Sequence, residues 1–162
     1  MNPHWARQFW NSCQPVSKQR AEVTNPKLAD IVKDQNPLLL AEHETLQQAC
    51  CRMWERRSGS VLVVDEQQRL TGIFTGRDAV RALAEGKNAE IATLAHAMTP
   101  NPVTLTPDSR AIDALREMSN RGFRHLPIVE SGRIWGVVSR NDFMGMEIDR
   151  LDEEDHLWEC IR

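Results

Sequence analysis

The fold is decided by residues 61–78, VLVVDEQQRLTGIFTGRD, because this stretch returns as residues 126–142, LPIVESGRIWGVVSRND. The match extends over residues 36–78 and 101–142, at an offset of 65 that becomes 64 after one deletion in a turn. A unit of this length has too little chain to cover its own apolar face. We therefore expect two related units that pack on each other, with any binding site between them. Identical pairs include Asn36/Asn101, Pro37/Pro102, Leu40/Leu105, Ala49/Ala114, Met53/Met118, Val64/Val129, Arg69/Arg133, Gly72/Gly136 and Asp78/Asp142.

Length and composition argue against several classes of function. The chain has 162 residues, of which 27% are charged and 41% hydrophobic, as expected for one globular body made of two pseudo-symmetric halves. Its net charge of −3 gives no general attraction for nucleic acid or for an anionic membrane. No stretch approaches the ~20 apolar residues that a spanning helix requires. Residues 1–20 lack the apolar core of a signal peptide, so we expect a cytoplasmic protein.

Each copy is predicted to read β-α-β-β-α, which gives an α/β (α+β) fold class with the two motifs packed through their sheets. A proline opens an extended piece in each copy, a helix with a buried stripe follows, and two apolar runs joined by a turn form a hairpin. The predicted divisions are an N-terminal extension (1–25), a first motif (26–86), a linker helix (87–98), a second motif (99–145) and a C-terminal amphipathic helix (146–162). That last helix needs a surface to lie on, either its own body or a second subunit.

The most informative local element is Gly72-x-x-Thr75-x-x-Asp78, with its echo Gly136-x-x-Ser139-x-x-Asp142. Each predicts a strand that leads directly into a helix, whose free N–H groups attract anions beside a hydroxyl and a carboxylate. A carboxylate suits a vicinal diol, because it can accept two hydrogen bonds. The alternative is an ordinary helix N-terminus, in which the same residue types only cap the helix.

The sequence resembles the tandem pair of cystathionine-β-synthase (CBS) domains, or Bateman module. The second copy carries the pattern most fully, through Ala97–Thr104, Arg124–Val129 and Gly136–Asp142, and the resemblance covers roughly residues 30 to 145. It implies a disc-like homodimer and adenosyl ligands, such as AMP, ADP, ATP or S-adenosylmethionine, bound in clefts between the copies. It also implies ribose contacts from Asp78 and Asp142, ribose or phosphate contacts from Thr75 and Ser139, and an adenine frame from Leu38, Leu39, Val103 and Thr104. Arg77 and Pro127 complete the candidate ligand-binding set.

The two copies differ in their cations. The second has Arg124 and His125 where the first has Gly59 and Ser60. Since a polyphosphate needs cations, we expect the cleft that draws on Arg124, His125 and Arg140 to bind a charged nucleotide more tightly. The alternatives are a solvated surface arginine and a histidine satisfied at a strand end.

The leading functional prediction is a non-catalytic sensor of adenine nucleotides, with a possible role in energy sensing, that signals its occupancy to an unknown protein target. A second class is a pure interaction or dimerisation module with vestigial clefts. An enzyme is disfavoured, since the sequence shows no nucleophile motif and no paired acid and base. The five histidines lack metal-ligand spacing, so no metal site and no required cofactor are predicted.

Overall fold

The computed structural model describes residues 25–143, which form two related halves. The fold class is mixed α+β with two repeated motifs, as the sequence predicted. The predicted N-terminal extension lies outside the described residues except for Asn25, and the C-terminal helix lies outside them entirely. The elements are α1 (Leu28–Val32), β1 (Leu39–Ala41), α2 (Leu46–Arg56), β2 (Ser60–Val64), β3 (Leu70–Thr75), α3 (Gly76–Ala84), a 3-10 helix (Leu94–His96), β4 (Thr99–Pro100), α4 (Ala111–Arg121), β5 (His125–Glu130), β6 (Arg133–Ser139) and a second 3-10 helix (Arg140–Phe143).

The first half contains a four-stranded sheet in the order β1-β2-β3-β4. Strand β2 pairs in parallel with β1 and antiparallel with β3, and all five of its residues are buried. The second half contains the antiparallel pair β5-β6. Both hairpins have a register shift at the same repeat position, Val63/Val64 and Ile128/Val129. The extended piece that the sequence predicts after the proline of the second copy forms only one parallel bridge, between Leu105 and Ile128.

The halves exchange short segments that precede each repeat. Leu28 and Val32 of α1 are buried in the core of the second half, where α1 lies against β6. The equivalent segment before the second copy buries Leu94 and Ala97 in the core of the first half. Strand β4 then extends the first sheet by pairing with β3. Each half is therefore completed by chain that comes before the other copy.

The segment between the copies is not the helix predicted for residues 87–98. Its only helical part is the 3-10 helix Leu94–His96. The carbonyl oxygens of Ala89 and Ala92 accept from the backbone N–H groups of Gln47 and Leu46, 2.9 and 3.0 Å away. These donors belong to the first turn of α2, which has no partner within its own helix. Because the carbonyls of Ala89 and Ala92 serve the N-terminus of α2, they do not take part in a continuous helix through the linker.

Within residues 25–143, no helix is long and apolar enough to cross a bilayer.

Candidate functional site

A cleft of about 510 Å³ opens between the two halves, beside the N-terminus of α3. The first half contributes the end of β3 and one face of α3, and the second half contributes the loop between α4 and β5. The chain entering the second copy forms a third wall. The lining residues are Ile73, Thr75, Arg77, Asp78, Arg81, Thr99, Asn101, Pro102, Val103, Arg121, Phe123, Arg124 and His125.

Asp78 is the buried acid of this cleft, with 5% of its surface exposed. Its Oδ2 atom accepts from the backbone N–H of Thr75 at 2.9 Å and from the Thr75 hydroxyl at 2.7 Å. This arrangement caps α3 and fixes the carboxylate at the strand-to-helix junction. Because the Thr75 hydroxyl donates its hydrogen to Asp78, it remains able to accept a hydrogen bond from a ligand but not to donate one to a phosphate.

Arg81 lies one helical turn after Asp78 and faces the same cleft. Its Nη2 atom is 2.9 Å from Asp78 Oδ1 and donates to the carbonyl oxygen of Ala97 at 2.8 Å. A buried carboxylate is tolerated when it is paired and hydrogen-bonded, and Thr75 and Arg81 meet both conditions. The same contact ties α3 to the segment that joins the two copies.

The cleft carries an excess of positive charge. Arg77, Arg81, Arg121 and Arg124 line it together with the carboxylate of Asp78, and Arg121 is also paired with Glu117, whose Oε2 atom is 2.8 Å from its Nε atom. Arg77 also crosses between the halves, since its Nη1 atom donates to the carbonyl oxygen of Gly122 at 3.0 Å. Guanidinium groups pair with phosphate oxygens through two parallel hydrogen bonds. The arrangement is therefore suited to an anionic ligand.

His125 lines the cleft at the start of β5 and is half-buried. Burial is the main cause that lowers its pKa, and the neighbouring Arg124 lowers it further. The carboxylate of Asp142 opposes both effects. The imidazole is thus held toward its neutral form, in which one nitrogen donates and the other accepts.

The remaining walls are mainly apolar or made of backbone. Ile73 and Phe123 line the cleft from opposite halves, and the residues from Asn101 to Val103 border it as well. Asn101 has a positive φ of 46°, and its backbone N–H donates to Thr71 O at 2.9 Å. This bond holds the extended segment against β3. A flat apolar ring fits such a slot, with backbone groups available along its edge.

In the second half, Asp142 repeats the capping geometry of Asp78. Its Oδ2 atom accepts from Ser139 N at 2.6 Å and from the Ser139 hydroxyl at 3.1 Å. Unlike Asp78, Asp142 is exposed. The edge of β6 also differs, because Gln35 Oε1 accepts from Val137 N at 3.1 Å where β4 pairs with β3 in the first half. The repeat preserves the acid and its cap, but not the surrounding walls.

The structure brings together some of the sequence-predicted ligand residues and separates the others. Those that line the Asp78 cleft are Thr75, Arg77, Asp78, Val103, Arg124 and His125. Leu38 is buried in the core of the first half, and Pro127 is buried in β5. Leu39 and Thr104 border two other depressions beside the hairpin turns. Ser139, Arg140 and Asp142 lie at the end of β6 and the start of the following 3-10 helix.

The predicted grouping of Arg124, His125 and Arg140 is only partly present. Arg124 and His125 line the cleft of Asp78, and Arg140 is not among its lining residues. Arg140 is held nearby through its backbone, since its N–H donates to Arg124 O at 3.0 Å. Arg140 follows β6, which pairs with β5, so its backbone lies beside Arg124 at the edge of the cleft.

Several lining residues were not singled out from the sequence. Arg81 could have been found from its spacing, since a residue three positions after Asp78 lies on the same face of a helix. Arg121 could have been found as a basic residue in the last turn of α4, three residues before Arg124. Phe123, Thr99 and Asn101 carry no comparable signal, because the packing of the two halves alone places them here. No cluster of three or more metal-ligating side chains occurs among residues 25–143.

Comparison with known proteins gives consistent matches. A family model described as "CBS domain" matches residues 28–85 and 91–148. The CBS domain-containing protein CBSCBSPB2 of Arabidopsis thaliana is 36% identical over 141 residues, which cover 86% of this chain and 25% of that protein. The chain thus spans about a quarter of the length of that relative.

Two solved structures resemble the fold closely. The CBS domain protein PAE2072 from Pyrobaculum aerophilum, complexed with AMP, gives a TM-score of 0.69 at 20% identity and covers 74% of this chain and 91% of that one. The CBS domain pair of protein MJ0100, in complex with 5′-methylthioadenosine and S-adenosyl-L-methionine, gives a TM-score of 0.67 at 26% identity. That match covers 78% of this chain and 98% of the other.

Proposed function

Because this chain belongs to the CBS-domain family, with two CBS domains in tandem, we propose that it is a regulatory module that binds an adenosyl nucleotide in the Asp78 cleft. The observation that carries the proposal is a buried acid at a helix N-terminus, in a cleft between the two copies that four arginines also line. In this arrangement Asp78 accepts hydrogen bonds from the ribose and the slot beside Phe123 holds the adenine.

The charge of the cleft favours one group of adenosyl ligands. The similar protein MJ0100 was solved with S-adenosyl-L-methionine and 5′-methylthioadenosine, which carry no phosphate. In this chain, Arg77 and Arg124 line the cleft together with Asp78, and these guanidinium groups favour a phosphate, with its higher negative charge, over the single carboxylate and positive sulfonium of S-adenosylmethionine. Phosphates satisfy the arginines, so we propose AMP, ADP or ATP as the ligand class. The role is regulatory and not catalytic, and occupancy is transmitted to a protein target.

Isothermal titration calorimetry with AMP, ADP, ATP, adenosine and S-adenosylmethionine tests this function. Arg124→Ala removes an exposed guanidinium from the cleft and should weaken nucleotide binding about tenfold or more, as for a lost hydrogen bond to a charged group. Arg116→Ala is the matched control, since Arg116 is exposed on α4 outside the cleft. Binding of no adenosyl compound by the wild-type protein would refute the proposal, and unchanged affinity in Arg124→Ala would refute the phosphate preference.

A second proposal concerns self-association. Trp54 on α2 and both Val80 and Leu83 on α3 are 86%, 66% and 70% exposed in the single chain. Helices α2 and α3 are adjacent, and their common groove includes Met53 and Ala79. An apolar face of this kind on a charged, globular chain marks an interaction surface. We propose that two copies associate through it as a homodimer, which also serves the alternative role of the chain as a dimerisation module.

A further inference from the structure

The contact between Arg81 and Asp78 limits what the acid can offer to a ligand. Asp78 Oδ2 already accepts two hydrogen bonds from Thr75, and Oδ1 faces Arg81 Nη2 at 2.9 Å. A carboxylate has about four acceptor positions, so three are in use. The Asp78 side chain is 6% exposed, whereas the Arg81 side chain is 51% exposed. Both side chains line the cleft, and the guanidinium is the more exposed partner of the pair.

A vicinal diol needs two acceptor positions to be held by both hydroxyl groups. For Asp78 to provide them, Arg81 must release Oδ1. The released guanidinium then lies in the cleft that Arg77 and Arg124 also line, where like charges repel it, while Arg121 is already paired with Glu117. An uncharged nucleoside offers nothing to replace the lost ion pair. A ligand that carries a phosphate next to its ribose supplies a new anionic partner for Arg81 and neutralises its neighbours.

We propose that Arg81 is a specificity-determining residue that makes the Asp78 cleft select phosphorylated over uncharged adenosyl ligands. This inference rests on the proposed function and deepens it. The second copy has no equivalent selection, because the position that matches Arg81 at the offset of 64 is Gly145. The preference for a phosphate is therefore a property of the Asp78 cleft and not of the repeat.

The test is calorimetry with adenosine and AMP on the wild-type protein, Arg81→Gln and Arg81→Lys. In Arg81→Gln, adenosine should bind about fivefold more tightly and AMP about fivefold more weakly. Arg81→Lys keeps the charge and should stay close to the wild type. The matched control is Arg116→Gln, which removes an arginine that pairs with an aspartate three residues earlier, at 3.9 Å and outside the cleft.

A measurement on the wild-type protein alone covers the case in which Arg81→Gln does not fold. Inorganic phosphate at millimolar concentration gives the released Arg81 a separate partner, so it should strengthen adenosine binding severalfold, while chloride at equal ionic strength should not. The inference is overturned if phosphate has no effect, or if Arg81→Gln weakens adenosine and AMP by the same factor. Either result leaves the proposed function standing, whereas a wild-type protein that binds neither ligand overturns both.

Discussion

Gly59 lies so close to the imidazole of His125 that a Cβ atom on residue 59 would be 2.7 Å from His125 Nε2 and 3.1 Å from Cε1. Gly59 belongs to the loop before β2, and His125 begins β5 in the other half. In the repeat, Gly59 occupies the position of Arg124, and Ser60 occupies the position of His125. Gly59 therefore contacts the residue that follows its own equivalent in the other copy. The absence of a side chain in one copy thus provides the room for a cleft residue of the other.

We predict that Gly59→Ala disturbs the cleft and destabilises the protein. The added methyl group must displace the half-buried imidazole, and overpacking of this kind typically costs about 1–3 kcal/mol. Chemical denaturation measures the loss of stability, and nucleotide titration measures the effect on the cleft. Gly76→Ala is the control, because a Cβ there meets nothing within 4 Å and alanine favours a helix. Equal stability of the two variants would contradict the prediction.

The repeat glycines Gly72 and Gly136 should both resist substitution, but to different degrees. A Cβ on Gly72 would collide with the flexible Met98 side chain, and a Cβ on Gly136 would lie 2.8 Å from both Val32 Cβ and Gln35 Oε1. Methionine can move aside more easily than a β-branched residue whose Cβ is fixed by the backbone. We expect Gly136→Ala to lose more free energy of unfolding than Gly72→Ala, with both losses at about 1–3 kcal/mol. The opposite order in denaturant titrations would contradict this explanation.

These contacts show why part of the fold followed from the sequence and part did not. The hairpins, the buried strand β2 and the capped start of α3 depend on local patterns, so residues 60–84 could be predicted from apolar runs and from the spacing of Thr75 and Asp78. The position of α1 in the core of the second half could not be predicted from the sequence. Its five residues carry Leu28 and Val32 as a buried face, and the pattern does not say which core they join.

The candidate site also contains residues that could be predicted from the sequence and others that could not. The acid of the cleft followed from a repeated local motif, and Arg124 and His125 followed from a difference between the copies. The spacing of three residues places Arg81 on the helix face of Asp78, but their contact depends on side-chain rotamers. Arg140 was grouped with Arg124 and His125, whereas it is not among the residues that line their cleft. Tertiary packing therefore decided the parts of the site that local spacing left open.

The pKa of His125 predicts a pH dependence of stability. The pKa of the imidazole is lower in the folded protein than in the unfolded chain, chiefly because of burial, with a smaller effect of Arg124 in the same direction and of Asp142 in the opposite one. The unfolded chain then binds the proton more readily, so this group destabilises the fold as the pH falls through about 6.5 and below. We expect the free energy of unfolding to decrease less between pH 7 and pH 5 in His125→Gln than in the wild type. The free energy of unfolding at pH 8 gives the baseline for each protein. A steeper decrease of this free energy in the variant would contradict the predicted sign.

Substitution of the exposed helix face should convert the proposed homodimer into monomers. Leu83→Glu and Trp54→Glu place a charge on α3 and α2 at positions that are 70% and 86% exposed in the single chain. The fold of one chain should therefore survive, while a buried, unpaired carboxylate in the interface would oppose association. Light scattering after size exclusion should give the mass of two chains for the wild type and one chain for each variant. Ile91→Glu is the control, since Ile91 is 74% exposed but lies in the segment between the copies. A dimer that persists in both helix variants would show that α2 and α3 do not form the interface. A monomeric wild-type protein would refute the proposed homodimer.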